Sequence, residues 1–167
     1  GTLTLNEIVE AINNGFGTTM GNIGIIILEG SIIGAFLENS GGARRIAERV
    51  MKTIGESRVP LAMNLAGYIT SIPVFCDSGF LILSPLGREM SARAGVHPFR
   101  CAIALSLGLY AAHTMVPPTP GPVGAAGIMG ADLGLVVLCG IAVSLPASLV
   151  GWIFSRFVPF HAPSISE

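Results

Sequence analysis

Four prolines fall within six residues, at positions 117, 118, 120 and 122, between two apolar stretches. A proline removes a helical hydrogen bond and clashes with the preceding turn, so no continuous helix passes through this run. The flanks, 101–115 and 123–131, are nonetheless apolar and rich in Gly and Ala. A second interruption lies upstream at 72–80, IPVFCDSGF, where a proline, an aspartate, a serine and a glycine separate apolar segments. Any fold for this chain has to accommodate two breaks inside otherwise helical, water-avoiding sequence.

Composition says what surrounds those breaks. Hydrophobic residues make up 51% and charged residues 11%, with mean hydropathy +0.71. Soluble domains carry about a quarter charged residues, so this is an integral membrane protein. The 22 glycines and 11 prolines fit that class. A net charge of −1 offers nothing to nucleic acid. Cys76, Cys101 and Cys139 are far apart in apolar runs, with no C-x-x-C, and read as small buried residues. The chain begins at Gly1 without Met or signal peptide, and the expectation is a piece of a longer protein.

In order, Leu3, Ile8, Ile12 and Phe16 with Glu7 and Glu10 predict a short amphipathic helix that the GFG at 15–17 ends. That GFG lacks the lysine of a phosphate loop. Residues 20–37 form the first span; eighteen residues at about 1.5 Å each reach about 27 Å. Gly17/Gly21 and Gly30/Gly34 have the spacing that lets another helix approach closely. Glu29 inside this span has to face protein or water. Residues 41–57 predict an interfacial helix, with Ile46, Val50 and Ile54 on one face and Arg44, Arg45, Arg49 and Lys52 on others.

Residues 59–88 hold the first break. Thirteen residues, 60–72, rise only about 20 Å and are too short to span. Five of the nine Lys/Arg lie in 44–58 and three in 88–100. A single crossing between these clusters would put them on opposite sides; a re-entrant hairpin keeps both cytoplasmic, as the positive-inside rule prefers. Irregular backbone at its tip is tolerated only against protein or a water-filled cavity. Asp77 and Ser78 there are candidates to meet solute or a coupling ion, against the alternative of a cap or buried ion pair.

Residues 101–131 form a broken span, its second half opening near Pro122. Half-helix N-termini attract anions, and transporters build midplane sites from them. His113, Thr114 and Thr119 flank or occupy this break. His113 and Asp77 are too few for a metal site. His97 and His161 read as non-functional. The last span is 132–155, with Asp132 capping its start, Pro146 as a source of bending, and Trp152 and Arg156 marking the cytoplasmic return. The predicted class is all-α: a polytopic membrane protein with a re-entrant helical hairpin and a proline-broken discontinuous transmembrane helix.

The stretches GFGTTMGNIG (15–24), SGGARRIAERVMKTIGESR (40–58), IPVFCDSGF (72–80), HTMVPPTPGPVGAAG (113–127) and GADLG (130–134) resemble the gluconate permease family of bacterial proton symporters. The resemblance implies proton-driven uptake of gluconate or a related small hydroxy acid. It also implies an inverted-repeat, broken-helix fold, of which this piece holds one hairpin and one broken span. Cys76 stands where an aromatic residue is expected more often.

The expected substrate contacts are Asp77, Ser78, Gly79, His113, Thr114, Thr119 and Gly121, with backbone amides at Gly79 and 121–123 among the donors. Asp77 or His113 would carry the proton, with Glu29 as third candidate. No cofactor and no metal are expected. Partners are a small organic anion, protons, the inner-membrane bilayer and the remainder of the same chain; a homo-oligomer stays open. Alternatives are a sodium-coupled organic anion carrier, an intramembrane enzyme using Asp77 and His113, and a non-transporting scaffold.

Overall fold

A computed structural model describes residues 3–159 and contains, among them, helices and no strands. The helices are α1 (Leu5–Asn39), α2 (Gly42–Ile54), α3 (Val59–Thr70), α4 (Cys76–Arg93), α5 (Pro98–Met115), α6 (Pro120–Met129) and α7 (Leu133–Phe157), with a single 3₁₀ turn at Glu56–Arg58. Three stretches are long and apolar enough to cross a membrane: Leu5–Asn39, Pro98–Met129 and Leu133–Phe157. The second comprises α5 and α6 together. The tail with His161 lies outside the described residues.

α1 departs from the expectation of two pieces. It runs unbroken through Gly15 and Gly17, opened by a capping box between Thr4 and Glu7. An interior glycine costs only about 1 kcal/mol, and nothing at 15–17 removes a hydrogen bond as proline would. Its real end comes at Ser40, followed by Gly41 at φ 71. Gly55, at φ 90, then turns the chain from α2 into the 3₁₀ turn. Both glycines occupy left-handed backbone that other residues resist.

α2 is amphipathic as expected, but its buried face is Ala43, Ala47 and Met51 rather than the Ile46 stripe. That face packs on α3 and α4, with Val50 and Ile54 at its edge. Alanines let α2 sit close, so the larger residues one position away become flanks. Prolines at 85 and 146 lie inside α4 and α7 without ending either helix.

The centre of the molecule is the contact of α3 and α7 with α5. Small residues make it. A Cβ at Gly67 would sit 2.8 Å from the Leu105 carbonyl oxygen, and one at Gly151 2.7 Å from Leu107 Cβ. Gly108 lies against the backbone of Asn64, and Gly140 against that of Met115. Polar groups then tie the helices. Asn64 Nδ2 donates to the Ala104 carbonyl at 2.8 Å, Ser148 Oγ donates to Asn64 Oδ1 at 2.8 Å, and Tyr68 and Ser144 share a 2.8 Å hydrogen bond. In lipid, close packing and interhelical hydrogen bonds, rather than water exclusion, hold helices together. On α7 the inward positions are Gly140, Ser144, Ser148, Gly151 and Ser155, a helical stripe of small residues.

Candidate functional site

The first interruption is a short turn between α3 and α4. Pro73 has no N–H to continue α3, whose last bonds are Ser71 N–H to the Gly67 carbonyl (2.9 Å) and Val74 N–H to the Thr70 carbonyl (3.1 Å). Phe75 is extended and α4 starts at Cys76. Asp77 therefore stands in the first turn of α4, where the helix dipole favours negative charge. It is exposed, and Oδ1 accepts a long bond from Cys76 Sγ at 3.6 Å. Asp77 lines an open groove of about 390 Å³ between α4 and α5, with Cys76, Phe80, Ser106, Leu109 and Tyr110.

Ser78 is half-buried beside it. Gly79 is there for packing: a Cβ would lie 2.7 Å from Leu109 Cδ2. Its N–H is donated to the Phe75 carbonyl at 2.9 Å, so the free amide expected at this position is already engaged within the helix.

The second interruption separates α5 from α6. Val116 is extended, the Pro117–Pro118 bond is cis, and Thr119 is extended before Pro120 starts α6. Thr119 is buried and its hydroxyl donates to the Val116 carbonyl at 2.9 Å. Pro120 and Pro122 carry no N–H, and Val123 gives its own to Thr119 at 3.3 Å. The amides expected over 121–123 thus reduce to that of Gly121, a position where a Cβ would meet nothing within 4 Å. Thr114 is exposed, its hydroxyl donating to the Tyr110 carbonyl at 2.8 Å.

The two interruptions meet. Residues 72–75 and 118–120 line one seam with Ile27, Gly30 and Ser31 of α1. Its volume of about 10 Å³ has room for one water at most. α1 enters this junction through glycines: Gly30 lies against Pro118, and Gly34 against Pro73 and Val74. One spacing pair, Gly30/Gly34, therefore serves close approach as predicted, whereas Gly17 and Gly21 touch nothing.

His113 lines neither space but neighbours one residue of each. Its ring meets Phe75 edge-on, with centroids 5.8 Å apart, and lies within electrostatic reach of Asp77. His113 Nδ1 is buried without a hydrogen-bond partner among the described residues, as are the hydroxyls of Thr70 and Ser71 at the end of α3. Sequence predicts one shared cavity; the structure has a tight seam holding Thr119 and an open groove holding Asp77. Glu29 and Thr114 are exposed and line neither space. Asp132 accepts from Leu135 N–H at 2.9 Å and caps α7 as expected. Cys76 and Cys101 are buried, but Cys139 is exposed on α7.

Ser106 and Tyr110 were not legible as groove residues. Their i, i+4 spacing on an apolar helix is the signal that marks one polar face. No cluster of metal-ligating side chains occurs among the described residues.

The model of the GntP family permeases matches residues 1–165. The chain is similar to a gluconate permease of Pseudomonas aeruginosa, 38% identical over 162 residues that cover 94% of this chain and 36% of that protein. It is similar to the inner membrane permease YgbN of Escherichia coli, 35% identical, covering 91% and 34%. The Gnt-II system L-idonate transporter of Escherichia coli is 31% identical, covering 90% and 35%. The chain thus spans about a third of the length of the curated relatives it matches. No solved structure matches.

Proposed function

The chain belongs to the GntP family of permeases, and from that premise we propose that the whole protein performs proton-coupled uptake of gluconate or a related small sugar acid. Its family and relatives are permeases and transporters rather than enzymes, and it is a multi-pass inner-membrane protein. α3 and α4 act as a re-entrant hairpin entering from the cytoplasm. α5 and α6 act as one span interrupted at 116–119. This piece supplies part of the substrate site, and the remainder of the protein supplies the rest.

The observation behind this reading is the junction of residues 72–75 with 118–120 beneath α1. Two irregular segments, remote in sequence, share one place, and irregular backbone at membrane depth needs such protein cover. Asp77 or His113 carries the proton: histidine titrates near neutral pH unaided, whereas Asp77, exposed in this piece, needs cover from the remainder of the protein to do so. Ser78, Thr119 and the Gly121 amide meet the carboxylate and hydroxyls of the substrate once the seam opens. Asp77→Asn in the full-length protein, assayed for gluconate uptake under an imposed pH gradient, tests the assignment. Unchanged uptake and coupling remove Asp77 from the mechanism.

One observation favours a second reading, sodium coupling. The Thr70 and Ser71 hydroxyls are fully buried and without hydrogen bonds among the described residues, and hard cations take oxygen ligands. Uptake that collapses when sodium is replaced by choline at constant pH gradient selects this reading over the first.

A further inference from the structure

Between Gly15 and Leu37, α1 carries five polar side chains, and they fall into two groups. Thr19 and Ser31 satisfy themselves: each hydroxyl donates to the carbonyl one turn back, Gly15 at 2.8 Å and Ile27 at 2.7 Å. Thr18, Asn22 and Glu29 are exposed, with no hydrogen bond or ion pair among the described residues. These three stand within about 40° of one another around the helix. Ile25 and Phe36, also exposed, continue the same stripe. Its steps of four, three, four and seven residues are the repeat of a seam between two packed helices. The side of α1 packed on the interruptions, through Gly30 and Gly34, lies about 120° round the helix. From these observations we infer that the stripe is the docking surface for a helix in the remainder of the same protein, with a basic side chain there paired to Glu29.

Depth explains why the stripe needs cover. Gly30 lies against Pro118, so the neighbouring Glu29 is level with the break inside the apolar stretch Pro98–Met129. A carboxylate at membrane depth faces protein or water rather than lipid. Glu29 lines neither the seam nor the groove, so its partner has to come from outside α1–α7. The chain spans about a third of the length of its curated relatives, which leaves most of a membrane protein to lie against it. A second copy suits the stripe poorly. Copies share one orientation in the membrane, and pairing two stripes across a two-fold axis sets Glu29 against Glu29. Charge complementarity asks for a cation there, and Thr18 and Asn22 extend the seam with groups able to hydrogen-bond across helices. The inference rests on α5 and α6 forming one span, but not on the transport chemistry, so it stands whichever residue carries the proton.

The test uses Glu29→Leu in the purified full-length protein in neutral detergent, read by melting temperature and by light scattering for oligomeric state. Removing a docked carboxylate leaves its cation buried and unpaired, and the melting temperature is expected to fall by about 4 °C with the oligomeric state unchanged. Asn22→Leu is expected to lower it by about 2 °C. Leu28→Ala, on the exposed side of α1 away from the stripe, is expected to leave it unchanged. Where Glu29→Leu fails to fold, Glu29→Gln keeps the shape without the charge and is expected to lose about 2 °C. A melting temperature held or raised by Glu29→Leu, or by Glu29→Gln in its place, overturns the inference, because that is how a lipid-facing position responds. A fall accompanied by a change of oligomeric state overturns it in favour of a second copy. An equal fall in Leu28→Ala overturns it in favour of general cover over α1. Gluconate uptake lost per folded molecule, at an unchanged melting temperature, overturns it in favour of a proton-carrying role for Glu29.

Discussion

The α3–α5–α7 contact and the two interruptions both set polar groups among apolar residues and end in opposite states. In the first, polar groups reach across helices and are matched: Asn64 with Ala104 and Ser148, Tyr68 with Ser144. In the second, buried polar atoms of Thr70, Ser71 and His113 have no hydrogen bond among the described residues, and Asp77 is exposed at a helix start. Buried polar groups in proteins are nearly always paired, so unpaired ones concentrated at one place call for an explanation. The difference separates a frame, whose polar groups are matched, from the region proposed above as the working one, whose polar groups are not.

That contrast makes graded predictions. The largest effect is expected where the frame is tightest. Gly108→Ala drives a Cβ into the Asn64 backbone and should cost about 3 kcal/mol, seen as lost expression and a lower melting temperature of the full-length protein. Gly121→Ala, in open space at the second interruption, should change stability by less than about 0.5 kcal/mol. Equal melting temperatures for the two would erase the distinction.

Next comes Asp77→Asn, expected to cut gluconate uptake to about a tenth, roughly 1.4 kcal/mol, while the melting temperature stays put. A fall in stability with uptake per folded molecule preserved would move Asp77 into the frame. Asn64→Ala should behave in the reverse way, losing about 1 kcal/mol of stability with little change in uptake per folded molecule. The smallest loss expected within the frame is that of Tyr68→Phe, which removes one interhelical bond worth about 0.6 kcal/mol; a shift no smaller than that of Asn64→Ala would show that Asn64 is not the hub of the contact.

Much of the plan was legible because its signals are local and chemical. Proline cannot donate, so the stops of α3 before Pro73 and of α5 before Pro117 follow from covalent structure. Asp132 as a cap follows from a short acceptor at a helix start. What stayed hidden depends on partners. GFG at 15–17 looked like an end because glycine is permissive, yet permissiveness does not forbid helix, and α1 runs through. The face of α2 was misread because alanine is weakly hydrophobic, although its size is what allows closeness. Asn64, Tyr68, Ser144 and Ser148 stand in the sequence as single polar residues in apolar stretches. Their i, i+4 pairs, 64 with 68 and 144 with 148, were readable as faces, but which helices they join is a tertiary fact. At the site, Gly79 suggested a free amide, and its engagement by Phe75 is visible only once α4 has a starting point.

α1 touches Pro118 through Gly30 and Pro73 through Gly34, one helical turn apart. Neither contact has a side chain of α1 in between to bend or swing aside. A rigid rod braced directly on two loops transmits displacement like a strut: sliding or tilting α1 by an ångström has to shift both loops together. On the function proposed above, opening at the two interruptions would then be synchronised by the position of a single helix, without a signal passing through the protein interior.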